Sequence, residues 1–300
     1  MSSAINKRKH RVDNSGAKVR TPSSHFLTYQ GSRIHYIKTG QARPVILFIH
    51  GLPLHSQSWQ CQINYFKKNY TIIALDLPGY GLSSPLPSGL TEISKFYSDT
   101  ISHVLKVCGI KKVIYVGFAS GGHVGLRFAI DHHKQLDRLI LIHASPKFTI
   151  SKDWPYGFSE AKIRSFIKRI KTMTLSDEIK SLIYYPTKEK CDKKIDLLRS
   201  AFVKMGLQTK KRTLISFFKN QAYEDFRDYL PHIHVPTLMI TGTLNKEVPP
   251  GVGLYLRQHI PHSQLIELNE KDHFLFATAV ALVNRSIENF IQPQCDLCLY

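Results

Sequence analysis

Short unbroken apolar runs alternate along this chain with stretches in which apolar residues recur every three or four positions. The runs at 45–49 and 71–75 have the profile of strands buried between two layers, and 112–116, 136–142, 237–241 and 264–268 continue the strand rhythm. Ahead of them, 25–29 and 33–38 flank Gln30-Gly31-Ser32, which predicts a hairpin. Helical spacing fills 92–107 through Ile93, Phe96, Tyr97, Ile101, Val104 and Leu105. Further helices are predicted at 121–132 and near 276–291. Strands alternating with helices predict an α/β fold: a mostly parallel, twisted sheet of about eight strands with helices on both faces.

The rhythm breaks between 146 and 230. There Ile163, Phe166, Ile167 and Ile170 follow i, i+3, i+4, i+7, with Arg164, Lys168, Arg169 and Lys171 between them. That is an amphipathic helix with a basic face. Helical patterns at 195–205 and 213–223 complete a predicted cap, inserted after the sixth strand. The expected layout is a disordered basic tail at 1–22, a core of 23–145 with 231–292, a helical cap at 146–230, and a short tail at 293–300.

Charge adds a feature that the pattern does not carry. Lys and Arg number 41 against 22 Asp and Glu, a formal net charge of +19. Residues 1–22 hold Lys7, Arg8, Lys9, Arg11, Lys18 and Arg20 against Asp13 alone, and residues 147–230 hold 19 basic against 10 acidic residues. Such a field attracts an acidic carrier protein, an anionic membrane or nucleic acid, and it equally suits a plain solvated surface. No run is long and apolar enough for a membrane span, and the N-terminus has no apolar core of a secretion signal. Its basic, acid-poor start is compatible with an organelle or nuclear address. The five cysteines are scattered, which fits free thiols in a reducing, cytoplasmic setting. Cys295 and Cys298 form one C-x-x-C with no second ligand pair, so no metal is expected. No phosphate loop or dinucleotide fingerprint is present, so no cofactor is expected.

The candidate chemistry centres on Tyr115-Val116-Gly117-Phe118-Ala119-Ser120-Gly121-Gly122. A sharp strand-to-helix turn that presents a nucleophile needs small residues two positions to either side of it. Gly117 and Gly121 satisfy this around Ala119. Centring on Ser120 instead places Phe118 where a small residue is needed. Ala119 thus holds the nucleophile position, and a methyl group cannot attack a carbonyl. Ser120 follows it, where a backbone N–H serves an oxyanion hole.

Five markers in order resemble the α/β-hydrolase fold family, in its cap-bearing branch of ester hydrolases, haloperoxidase-like enzymes and epoxide hydrolases. They are His50-Gly51-Leu52-Pro53, Asp76-x-Pro78-Gly79-x-Gly81-x-Ser83, the turn around Ala119, Gly242-Thr243-Leu244-Asn245-x-x-x-Pro249, and Asp272-His273-Phe274. The resemblance spans about residues 24–291. It implies His273 as general base, Asn245 at the acid position, and Leu52 with Ser120 as oxyanion donors. It implies a pocket bordered by His50, Gly51, Gly117, Phe118 and Gly121. Asp76-Leu77-Pro78-Gly79 reads as a structural turn. Glu247 and Asp272 are the nearby carboxylates, and neither stands at the expected acid position.

Three readings follow. The chain descends from ester hydrolases and now binds a small ester or apolar, acyl-bearing ligand without turnover. Alternatively it is an active serine hydrolase disarmed by deliberate Ser→Ala and Asp→Asn replacement. Or it is an active hydrolase that uses Ser120 with His273.

Overall fold

The structure is a computed structural model that describes residues 23–184 and 192–292. The basic patch of the first 22 residues and the terminal C-x-x-C lie outside the described residues.

The hairpin forms as expected from β1 (Ser23–Tyr29) and β2 (Ser32–Thr39), paired antiparallel. Its turn puts Gln30 at φ 45° and Gly31 at φ 74°. Two successive positive φ angles match the twist of the flanking strands. Then follow β3 (Val45–Ile49), β4 (Thr71–Leu75), β5 (Val113–Phe118), β6 (Leu136–Ile142), β7 (Thr237–Gly242) and β8 (Ser263–Leu268). The sheet order is β1-β2-β4-β3-β5-β6-β7-β8, with every pair from β4 onward parallel. This is the α/β architecture predicted.

Alternate residues of the central strands feed opposite layers, because successive side chains in a strand point to opposite faces. Val45, Leu47 and Ile49 join one apolar layer with α2 (Ile93–Val107), α3 (Ser120–Asp131) and α8 (Pro250–His259). Ile46 and Phe48 join the other with α1 (Gln60–Phe66), α9 (Leu275–Thr278) and α10 (Val280–Ile291). The single helix expected near 276–291 is therefore two, broken at Ala279.

The helical cap enters between β6 and β7 as α4 (Glu160–Thr172), α5 (Leu175–Ile183), α6 (Lys193–Gly206) and α7 (Lys211–Lys219). On α4, Ile163, Phe166 and Ile170 are buried while Arg164, Lys168 and Lys171 are exposed, as their spacing predicted. Phe148, Ile163, Phe166, Ile179, Phe202 and Leu214 belong to the same continuous apolar cluster as Phe118 and Ala119. The cap is thus packed into the sheet's own core. Helix α7 stops at Lys219 rather than 223, and the chain continues in a short 3-10 turn. Helix α5 was not anticipated. Its signal was the Thr174-x-x-Asp177 pair, in which the Thr174 hydroxyl accepts from the Asp177 N–H at 3.2 Å.

Candidate active site

The turn between β5 and α3 has its apex at Ala119, with φ 47° and ψ −115°. A non-glycine residue in this region is strained by about 1–3 kcal/mol and persists only where its surroundings impose it. Here they do. A Cβ on Gly117 would lie 2.6 Å from the Gly121 carbonyl oxygen, and one on Gly51 would lie 3.2 Å from the Ala119 methyl. The chain keeps the geometry that exposes a nucleophile and carries none at its apex.

Ser120 is the first residue of α3, past the apex. Its hydroxyl makes one hydrogen bond, accepting from the Leu52 N–H at 2.8 Å. Leu52 N–H is one of the two donors assigned to the oxyanion hole. The hydroxyl thus takes up the N–H that the resemblance gives to a substrate's carbonyl oxygen, and its bond runs to Leu52 and not to His273. That placement disfavours Ser120 as nucleophile.

His50 is fully buried. Its Nε2 accepts from the Leu77 N–H at 3.1 Å, its Nδ1 lies 3.1 Å from the Gly51 carbonyl, and its ring meets the edge of Tyr80. It braces the loop after β4. Asp76 anchors the same loop, bonding His35 at 2.7 Å, the Ser56 N–H at 2.8 Å and the Leu82 N–H at 2.9 Å. Burial pushes its carboxyl up, but these bonds outweigh burial and hold it below the usual range.

Asn245 occupies the loop after β7, where the acid is expected. Its side-chain oxygen accepts from the Glu247 N–H at 3.0 Å and the Val248 N–H at 2.7 Å. The carboxamide is committed to its own loop and makes no hydrogen bond with His273, contrary to the pairing that its position suggested. The residue at His273 is Glu247, with Oε2 3.6 Å from Nε2. Sequence spacing set Glu247 aside because it lies two positions late, but the Asn245 turn reverses the loop and brings it in. Burial, then the negative charge of Asp272, raises the Glu247 carboxyl well above its ordinary value. Glu247 Oε1 and His273 Nδ1 are both buried without a hydrogen-bond partner.

Asp272 is not the imidazole's partner either. It forms a buried ion pair with Arg199 of α6 at 2.7 Å and accepts from the Phe274 N–H at 2.8 Å. His143, at the end of β6 with φ 46°, lies 5.4 Å from the His273 ring and nearly parallel to it. Its Nδ1–H donates to the His273 carbonyl at 2.8 Å, and its Nε2 accepts from the Gly242 N–H at 2.8 Å. His143 thus positions the loop that carries His273, a role that nothing in its sequence context signalled.

Burial drives His273 well below the ordinary imidazole value, and the nearby His143 and Arg199 add to the shift. Burial likewise lowers His50 and His143 to about 4. Each of these rings is neutral when folded and titrates near 6.5 when unfolded. The stability they contribute is present above pH 6.5 and is lost as pH falls toward 4. A shift of this size is worth on the order of 3 kcal/mol for each of His50 and His143, which together are a large part of a domain's whole stability. Glu247 acts in the opposite sense, losing stability as pH rises past the ordinary Glu value. The melting temperature should fall steeply between pH 6.5 and 4, and a melting temperature that stays flat to pH 4.5 would contradict these assignments.

Among the described residues, Asp99, Asp131 and His132 come close enough to share one cation. They are already bonded to Lys95, to Arg127 and to one another. No helix among the described residues is long and apolar enough to cross a membrane.

The strand-to-helix apex at Ala119 and the buried His273 beside Glu247 are the features that the comparisons with known proteins bear on. The chain belongs to the alpha/beta hydrolase fold family, whose model it matches over residues 44–280. It is similar to an AB hydrolase superfamily protein, YisY, of Bacillus subtilis, at 29% identity over 85% of this chain and 98% of that protein. It is similar to a pimeloyl-[acyl-carrier protein] methyl ester esterase of Legionella pneumophila, at 28% identity over 86% of this chain and 99% of that one. In fold it resembles an esterase from Exiguobacterium antarcticum, with TM-score 0.81 and 22% identity over 89% of this chain and 99% of that one. The chain is therefore an α/β-hydrolase related to esterases.

Proposed function

We propose that this protein binds a small ester or apolar, acyl-bearing ligand beneath its cap and forms no acyl-enzyme with it. The observation that carries this reading is the methyl group of Ala119 at the apex of the strand-to-helix turn, held at φ 47°. With a methyl group at the apex no acyl intermediate forms there, and binding does not require one. The relative whose name specifies a methyl ester on an acyl-carrier protein supports an acyl ligand here. An acidic carrier would meet the exposed Arg164, Lys168 and Lys171 of α4. A cytoplasmic setting fits the free thiols Cys61 and Cys108.

The test is a panel of acyl esters of increasing chain length, followed by calorimetry and by product release. Saturable binding without turnover at ordinary serine-esterase rates is expected. Rapid turnover that vanishes with Ser120→Ala would overturn the reading. In the binding assay, Ser120→Ala should instead tighten carbonyl ligands. It frees the Leu52 N–H from a hydrogen bond worth about 0.5–1.5 kcal/mol, or roughly 2- to 10-fold in affinity. Unchanged or weaker binding would mean that the carbonyl does not enter this hole.

A further inference from the structure

We infer that Glu247 and His273 form a serine-independent general-base pair, which activates a water molecule for direct, single-step hydrolysis of an ester held in the oxyanion hole. This rests on the ligand reading above and adds to it a slow activity without a covalent intermediate.

The ordinary triad acid position is vacated, since the Asn245 side chain is spent on the Glu247 and Val248 amides. The same turn delivers the Glu247 carboxylate to 3.6 Å from His273 Nε2. The ring's other nitrogen, Nδ1, is buried and has no hydrogen-bond partner. A buried nitrogen without a partner is costly unless something else fills the need. On this inference, a water molecule held between Nδ1 and the Ala119 methyl would be that partner. Burial keeps His273 neutral and so free to accept a proton, but it also weakens the ring as a base, a cost that the Glu247 charge has to offset.

The water oxygen forms a bond to the ester carbonyl carbon, and one water proton passes to His273 Nδ1. The carbonyl oxygen, now negative, takes the Leu52 and Ser120 N–H donors and displaces the Ser120 hydroxyl from Leu52. The tetrahedral adduct collapses, the carbon–alkoxy bond breaks, and the imidazolium returns its proton to the leaving alcohol. The remaining product is a carboxylic acid that ionises to solvent. Glu247 touches no reacting atom. It is a positioning residue whose negative charge stabilises the transient imidazolium through Nε2.

Four other groups face the pair, each from an element packed against it. Asp272 precedes His273 on the loop after β8, and His143 stacks on the ring from the end of β6. Lys162 on α4 and Arg199 on α6 approach from the cap, and both lower the cost of ionising Glu247, which burial and Asp272 raise. The Asp272–Arg199 ion pair is internally neutralised. The group that changes charge above the ordinary carboxylate range is therefore Glu247. Activity should rise with pH through that ionisation.

The experiment uses the full chain with p-nitrophenyl butyrate, over pH 5–9, against buffer and against heat-denatured protein. Intact mass is recorded during turnover, and a non-hydrolysable ketone of the same chain length reports binding. The expected result is an acceleration of about 10²- to 10⁴-fold over buffer, the range for a positioned base. No burst and no acyl adduct should accompany it. His273→Ala should remove most of the acceleration, and Glu247→Gln should cost at least ~10-fold and flatten the pH profile. Should Glu247→Gln fail to fold, the pH profile of the unaltered chain decides, since a pH-independent rate contradicts the pair. No acceleration with ketone binding retained overturns this inference and leaves the ligand reading standing. Loss of both overturns both. A rate insensitive to His273→Ala, or an acyl adduct on the chain, also overturns it.

Discussion

An Ala119→Ser variant is expected to hydrolyse short acyl esters about 10²- to 10⁴-fold faster than the unaltered chain. The apex already holds its residue at φ 47°, so a serine there inherits the exposed geometry without further backbone change. The gain requires His273 as the base and requires the substrate carbonyl to displace the Ser120 hydroxyl from the Leu52 N–H. Losing a nucleophile in a comparable triad costs up to about 10⁶ in turnover, and a site that has drifted should regain only part of that. Adding Asn245→Asp should contribute little. An aspartate at 245 would accept the same Glu247 and Val248 amides that the asparagine accepts, leaving Glu247 beside the imidazole. Steady-state rates of the single and double variants test this directly. A double variant far more active than the single one would show that residue 245 can still reach His273. A folded single variant with no gain on a broad panel would show that the pocket has changed beyond the apex.

Arg199→Ala is expected to destabilise the protein by about 3–5 kcal/mol, the cost of leaving one half of a buried ion pair without its partner. The Arg199 and Asp272 side chains are 4% and 8% exposed and their charged atoms lie 2.7 Å apart. Removing the guanidinium leaves a buried carboxylate next to Glu247, whose own charge is already unfavourable. Replacing both members by apolar residues, as in Arg199→Met with Asp272→Leu, should recover much of the loss, although the Phe274 N–H then loses its acceptor. Urea denaturation of the three variants measures the difference. Equal stability of Arg199→Ala and the unaltered chain would mean that the pair does not fasten the cap to the loop bearing His273.

The fold was legible because its signals are local and repeated. Runs such as Val45–Ile49 admit one reading as buried strands, and the Gly117 and Gly121 spacing located the apex at Ala119. What escaped depends on how loops turn after the strands end. His50, His143 and Asp76 sit at strand ends where ligands commonly bind, yet their hydrogen bonds tie backbone to backbone. Counting positions along the chain favoured Asn245 over Glu247, because the tight turn made by the Asn245 side chain itself is not visible as spacing. The Arg199–Asp272 pair joins residues 73 positions apart and left no trace in either segment's pattern.

The most direct test of Ala119 as the vacant nucleophile position is intact-protein mass after exposure to a serine-reactive fluorophosphonate. The unaltered chain should gain no adduct, and Ala119→Ser should gain one, mapped by peptide digestion to residue 119. A stoichiometric adduct on Ser120 of the unaltered chain would contradict this assignment and establish a working serine one position later.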